Sequence, residues 1–370
     1  MKKVLENENI KNKVSNLKDK YKENEKYAPA VFFLFGFIFD IATLGEVDDF
    51  SNLISLTIYL ILSAFFIYCE IIEFKVSENA HKYVKTIFEY SNDIFHFVLG
   101  ALLSAFTLFY FKSSSLSNSF LFMLLMFSLL ILNETQIFQK KGIFLKSSLF
   151  KICQISYLIY LIPLILGKIG FPVFLFSAIL SLAISFGTFK FLSNKRQGVD
   201  FVNQWILPHV MVACIFLILY VFKAIPPIPL SLKSIGIYHG LEKKEGKYIL
   251  QRERSFWKFW QNGDQDFYYR NGDKAYVFSR IFSPGGFEGK VYLHWEKEFK
   301  SGYKTTDKIP LTLTGGRGEG FRAFAYKRNL TPGAWRVKVE THEGLEIGRI
   351  NFNVIEDNST NEKKYSLIEF

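Results

Sequence analysis

Two groups of residues in this sequence could do chemistry, and they sit in stretches of opposite character. The first is aromatic and cationic. Trp257 and Trp260 fall in Ser255-Phe256-Trp257-Lys258-Phe259-Trp260, directly after Arg252 and Arg254, with Trp295 and Trp335 further on. Indole faces flanked by cations suit stacking on sugar rings or seating at a bilayer interface. The competing expectation is that one or two of these rings plug a core. The second group is polar and interrupts apolar runs: Glu70, Asp93, His96, Asn133, Glu134 and His209. Asp93 and His96 are three apart, so one helix face carries both. Ionisable groups at membrane depth are costly, and carboxylates with histidines can bind a metal or relay protons. Each of these, however, lies near the end of its run, where hydration or helix capping makes burial cheap. Asp40 differs. It falls inside the first apolar run and must pair within a bundle or reach outward.

Other chemistries find little footing. Gly315-Gly316-Arg317-Gly318-Glu319-Gly320 lacks the Gly-Lys-Ser/Thr ending of a phosphate loop, and strand-like sequence follows it, so it reads as a hairpin. His239, His294 and His342 are scattered, without cysteine or histidine at ligand spacing, so no metal and no cofactor is expected. No nucleophile elbow or Ser-His-Asp pattern is visible, and no enzyme is expected in the polar half. The three cysteines, Cys69, Cys153 and Cys214, all fall in apolar runs and read as inert buried thiols.

The elements that must position these residues follow from hydropathy. Hydrophobic residues make up 49% of the 370-residue chain and charged ones 21%, so apolar and polar material must be segregated. Most of the 41 phenylalanines lie before residue 225, where any bulky apolar side chain can face lipid. Apolar spans are predicted near Ala28–Leu44, Leu53–Ile72, Ile94–Phe111, Ser119–Leu132, Ile152–Leu166, Phe171–Leu192 and Ile206–Phe222. That makes an α-helical transmembrane bundle of about seven spans over residues 28–227. Alternate loops hold Lys75, Lys82 and Lys85, then Lys140, Lys141, Lys146 and Lys151, then Lys190, Lys195 and Arg196. The remaining short loops hold only Lys112 and Lys168, and the first of them carries Glu46, Asp48 and Asp49. Positive charge marks the cytoplasmic side. The pattern puts the amino terminus inside and everything after Phe222 outside, in the periplasm of a cell with two membranes. It also absorbs most of the net charge of +11, so nucleic acid is not an expected partner. The lysine-rich residues 1–27 read as a basic cytoplasmic tail.

After Pro226, Pro227 and Pro229 stop the last span, the chain changes period. Alternation is readable in 275–283, 289–299, 320–327, 335–341 and 345–354, separated by Asn-Gly, Pro-Gly and Gly-Gly turns. The prediction is an all-β, immunoglobulin-like sandwich over residues 228–356, followed by a frayed polar tail, 357–370.

The carboxyl-terminal pattern His294-Trp295, Pro332-Gly333-Ala334-Trp335-Arg336-Val337-Lys338-Val339, Gly344, Ile347-Gly348-Arg349 and Phe352-Asn353-Val354 resembles the bacterial domain of unknown function 2914 family. The stretch IPPIPLSLKSIGIYH is similar to the exit from the membrane in its multispan members. The resemblance implies a periplasmic sandwich on an inner-membrane anchor, and it implies no activity. Taken with the residues, it leads to a non-enzymatic module that binds a cell-envelope glycan, an anionic lipid or a protein partner outside the bilayer. The alternative is an intramembrane enzyme or transporter built on the polar cluster.

Overall fold

The computed structural model describes residues 28–135, 142–193, 200–253, 257–285, 287–314, 318 and 320–370; the basic tail, Arg254 and Arg317 lie outside these. The first part is helical: α1 (Ala28–Thr43), α2 (Phe50–Ile71), α3 (Lys82–Glu89), α4 (Ser91–Lys112), α5 (Leu116–Asn133), α6 (Ile143–Leu166), α7 (Phe171–Ser193) and α8 (Leu207–Val221), the last entered through a π-helical turn at Val202–Ile206. Uninterrupted runs of Leu, Ile and Phe favour helices here because only a helix satisfies its own backbone groups without water. Five of them are long and apolar enough to cross a membrane: α2, α4, α6, α7 and the Val202–Val221 unit. Two more apolar helices, α1 and α5, are shorter. The apolar stretches of α4 and α6 are 72% buried against 22–28% for the other three, so these two form the centre of the bundle.

One boundary departs from expectation. Helix α6 begins at Ile143 rather than near Ile152, and it carries Lys146 and Lys151 inside. Hydropathy alone put both lysines in a cytoplasmic loop. They are buried instead, because side chains of neighbouring helices take up their ammonium groups.

From Ser231 the chain is β-rich. Strands β1 (Ser231–Tyr238), β5 (Ala275–Phe282) and β8 (Phe321–Lys327) form one sheet. Strands β4 (Asp266–Tyr269), β10 (Glu346–Glu356), β9 (Gly333–Thr341), β6 (Glu288–Phe299) and β7 (Gly302–Thr314) form a second, in that order. Residues of both sheets, among them Ile235, Val277, Ile281, Leu293, Val337 and Phe352, join one buried cluster. Alternation does the work: in β9 every second residue from Trp335 to Thr341 is buried. A third sheet orders β11 (Ser366–Glu369), β3 (Lys247–Arg252) and β2 (Gly240–Lys244). The tail expected to fray is therefore held as an edge strand. Phe370 exchanges backbone bonds of 2.8 and 2.9 Å with Tyr248, and Arg270 pairs with Asp357 at 2.7 Å.

The β domain is seated on the bundle. Glu343, in the turn after β9, accepts the Phe171 amide at 2.8 Å and the Tyr220 hydroxyl at 3.0 Å. Glu346 accepts from Ser115 and from Asn118, the latter at 3.1 Å, while Arg349 clamps it from within β10. Lys233 bonds Glu46 at 2.7 Å, and Ile169 packs against the β core. The loops after α1, α4 and α6 thus all meet the β domain, which puts them at the same end of the bundle.

Candidate functional site

The predicted aromatic group divides in two. Trp295 and Trp335 are 0% and 3% exposed and belong to the β core, so they are not part of an outer platform. They fall on the inward phase of β6 and β9, where alternation buries them. Trp257, Phe259 and Trp260 are 77%, 80% and 66% exposed. Their loop between β3 and β4 is tied down at its base. Lys258 pairs with Asp266, Asp264 accepts the Glu253 amide at 3.0 Å, and the Asp264 amide donates to Ile237 at 2.7 Å. Gly263, at φ 73°, pairs with Ile237 so closely that a Cβ would lie 2.1 Å from its carbonyl oxygen. Arg252 is half-buried in β3 and bonds Ser366 at 3.1 Å. Arg254 lies outside the described residues.

The predicted polar cluster also divides, and gains members. At one place Lys146 bonds Glu70 and Asn92, both at 2.7 Å. Nearby, His96 Nδ1 lies 2.9 Å from Asn133 Oδ1, and the Asn133 amide donates to the His96 carbonyl and to Glu134 at 3.2 Å. Asp93 stays exposed at the start of α4. Asp40 pairs inside the bundle, accepting from Ser104 at 2.5 Å. Asp40, Ser104 and Glu134 line one crevice of about 900 Å3 between α1, α4 and α5, with Phe35, Phe39 and Phe97 on its walls.

His209 belongs to a different network. Its Nδ1 is 2.6 Å from Ser185 Oγ and its Nε2 is 3.1 Å from Ser181 Oγ. Lys151, fully buried, donates to Ser185 at 2.7 Å and Gln154 at 3.1 Å, and its ammonium lies 3.2 Å from the Trp205 ring centre. Trp205 in turn donates to Ser185 and Thr188, both at 3.1 Å. No carboxylate pairs with Lys151 among the described residues. The π-helical turn holds Trp205 over it, a geometry found often at functional sites. A sequence signal did exist: Ser177, Ser181 and Ser185 recur every four residues, marking a small, polar face on α7. Among the described residues no group of three or more His, Cys, Asp or Glu is arranged to hold a metal.

A further recess lies in the β domain, about 440 Å3 between the edge strands β7 and β8. Trp295, Asp307, Tyr326, Lys327, Arg328 and Asn329 line it. The Asp307–Lys327 pair joins the two sheets across it. Burial would raise the Asp307 carboxyl, but the Lys327 ammonium and the Thr306 hydroxyl hold it below the usual range.

Set against known families, residues 288–354 match the family described as Protein of unknown function (DUF2914). The matched stretch runs from β6 to β10 and so contains Trp295, the Asp307–Lys327 pair, Trp335 and the docking carboxylates Glu343 and Glu346. No curated protein matches the chain. Among solved structures, the chain is similar to an immunoglobulin-like protein from Pseudomonas aeruginosa, at 12% identity over 34% of this chain and 96% of that one, with a TM-score of 0.22. It is also similar to the alkylpurine DNA glycosylase AlkC of Pseudomonas fluorescens bound to DNA containing an abasic site analog, at 12% identity, 84% and 100% coverage and a TM-score of 0.19. At these TM-scores neither likeness bears on the fold or the activity.

Proposed function

We propose that this is a seven-span inner-membrane protein, amino terminus in the cytoplasm, that presents a periplasmic immunoglobulin-like β-sandwich as a binding module for an envelope glycan, an anionic lipid or a partner protein. The observation that carries the reading is the exposed Trp257, Phe259 and Trp260 on an anchored loop of a domain fixed to one end of the bundle. Three large rings held in water cost free energy unless something covers them, and aromatic side chains dominate the energetics of recognition. The seven-span topology is supported by helices at all seven predicted places and by the three loops that meet the β domain at one end. Those are the loops poor in lysine, as the positive-inside rule requires of the outer side.

The test uses the full chain in detergent micelles. Its thermal midpoint is measured against peptidoglycan fragments, lipopolysaccharide, neutral glycans and anionic lipids. A ligand of the native state raises stability by about 2.7 kcal/mol at a hundredfold over its dissociation constant. A shift lost in Trp257→Ala and Trp260→Ala supports the module. A shift that both variants keep removes the aromatic loop from the reading.

A second reading is an intramembrane enzyme or transporter. The buried Lys151–Ser185–His209 chain and the crevice with Asp40 and Glu134 favour it. It predicts that Glu134→Gln or His209→Ala abolishes a cellular phenotype that survives Trp257→Ala and Trp260→Ala.

A further inference from the structure

The recess between β7 and β8 has an odd floor. Trp295 is completely buried there, yet its indole N–H has no acceptor among the described residues. A buried donor left without an acceptor costs roughly 1–3 kcal/mol, and native structures rarely keep one without a use. Trp335, its neighbour in the core, donates to the Thr331 carbonyl at 2.9 Å, so the core can satisfy an indole where satisfaction is wanted. Opposite the Trp295–Glu296 step, β7 carries one extra residue, Thr306, and this bulge bends β7 at the rim of the recess, as bulges beside binding sites do.

The rim supplies the rest of a site. Arg328 is exposed at the recess and makes no ion pair among the described residues; its guanidinium lies 5.7 Å from the ring centre of half-exposed Tyr326. Asp307 is neutralised by Lys327, which leaves Arg328 as the uncompensated charge. About 440 Å3 is far more than a bare anion needs and falls in the range of small-molecule sites. Asp307 and Asn329 offer partners for hydroxyl groups.

We propose that this recess binds a small saccharide bearing a carboxylate or phosphate group: Arg328 takes the anion, the Trp295 indole donates to a ligand oxygen, and Asp307 and Asn329 hold hydroxyl groups. The site gives the β domain a ligand class. It rests on the reading of that domain as a binding module, but not on the exposed aromatic loop, which is a separate surface.

The test is made on the full chain in detergent micelles with nitrogen-15 in the tryptophan indoles, the Trp295 signal being assigned with Trp295→Phe. The probes are glucuronate, glucose 6-phosphate, glucose and inorganic phosphate at millimolar concentration. Glucuronate and glucose 6-phosphate are expected to move the Trp295 signal while leaving Trp257 and Trp260 in place. Arg328→Gln, a change at an exposed residue, is expected to keep the thermal midpoint and to weaken both probes about tenfold or more. The proposal fails if glucose binds as tightly as glucuronate, or if phosphate alone matches the phosphosugar. It fails equally if the Trp295 signal does not move with any probe. Movement of Trp295 with no response at Trp257 or Trp260 to larger glycans would retain this site and discard the aromatic loop.

Discussion

At the residue scale, buried charge in the β domain has been placed where partners can hold it. Glu296 is 6% exposed and accepts from Arg336 and, at 3.1 Å, from Lys338. Burial alone would raise its carboxyl, but these cations outweigh it and hold the value below the usual range. A carboxyl whose folded value is depressed contributes stability in full above the unfolded value, about 4.3 for Glu. That contribution is lost as pH falls through the folded value. The β domain is therefore expected to melt at lower temperature as pH drops below about 4, and Glu296→Gln should flatten that slope while destabilising at neutral pH by about 3 kcal/mol. Melting the full chain between pH 7 and 3 checks both. Gly263→Ala is expected to cost about 1–3 kcal/mol and to loosen the aromatic loop, because its positive φ and the Ile237 carbonyl leave no room for a Cβ. Hydrogen exchange at the Asp264 amide reads the loosening.

At the element scale, the legible features were those that repeat. The period-2 pattern of β5, β6, β8, β9 and β10 put their strands within a few residues of where they form. Strands β1, β2, β3, β4, β7 and β11 gave no such signal because they are short, polar or interrupted, β7 by Pro310 on an edge of its sheet. Ser366–Glu369, for instance, carries no alternation that a core would impose, and it exists through pairing with β3. Helix α6 shows the opposite failure. Lys146 and Lys151 look like loop residues until Glu70, Asn92 and Ser185 arrive from elsewhere in the sequence. Such partnerships are long-range, so the Lys151–Ser185–His209 network is only half-legible, from His209 and from the serine face of α7, neither of which points to Lys151. Trp205 seals that network, stacked on Phe150 at 5.7 Å between ring centres. Trp205→Ala is expected to cost about 3–5 kcal/mol, whereas Lys151→Met should change stability by less than about 1.5 kcal/mol, since it keeps the apolar stem and removes a buried ammonium. Denaturation of the two variants in the same detergent compares them directly.

At the scale of the whole molecule, the bundle and the β domain form a joined unit rather than a domain on a string. Glu343 and Glu346 each accept from the bundle, and Ile169 enters the β core from the loop after α6. Nothing in the sequence announced this junction, because a glutamate in a β turn or at a strand start is ordinary; the carboxylates acquire meaning only from Phe171, Tyr220 and Asn118. Replacing both with Gln is expected to expose the Phe171 amide to hydrogen exchange at least tenfold faster while leaving the β strands protected.

The proposed orientation is the claim on which the rest depends, and one measurement addresses it most directly. Single cysteines are introduced at Asn271, Lys168 and Asn79, all exposed, in a chain whose Cys69 and Cys214 are replaced by Ser. Intact cells with a permeable outer membrane are then treated with a membrane-impermeant thiol reagent. The account predicts that Asn271→Cys and Lys168→Cys react in intact cells, and that Asn79→Cys reacts only after lysis. Reaction of Asn79→Cys in intact cells, with the other two silent, would invert the topology and put the β domain and its recess in the cytoplasm.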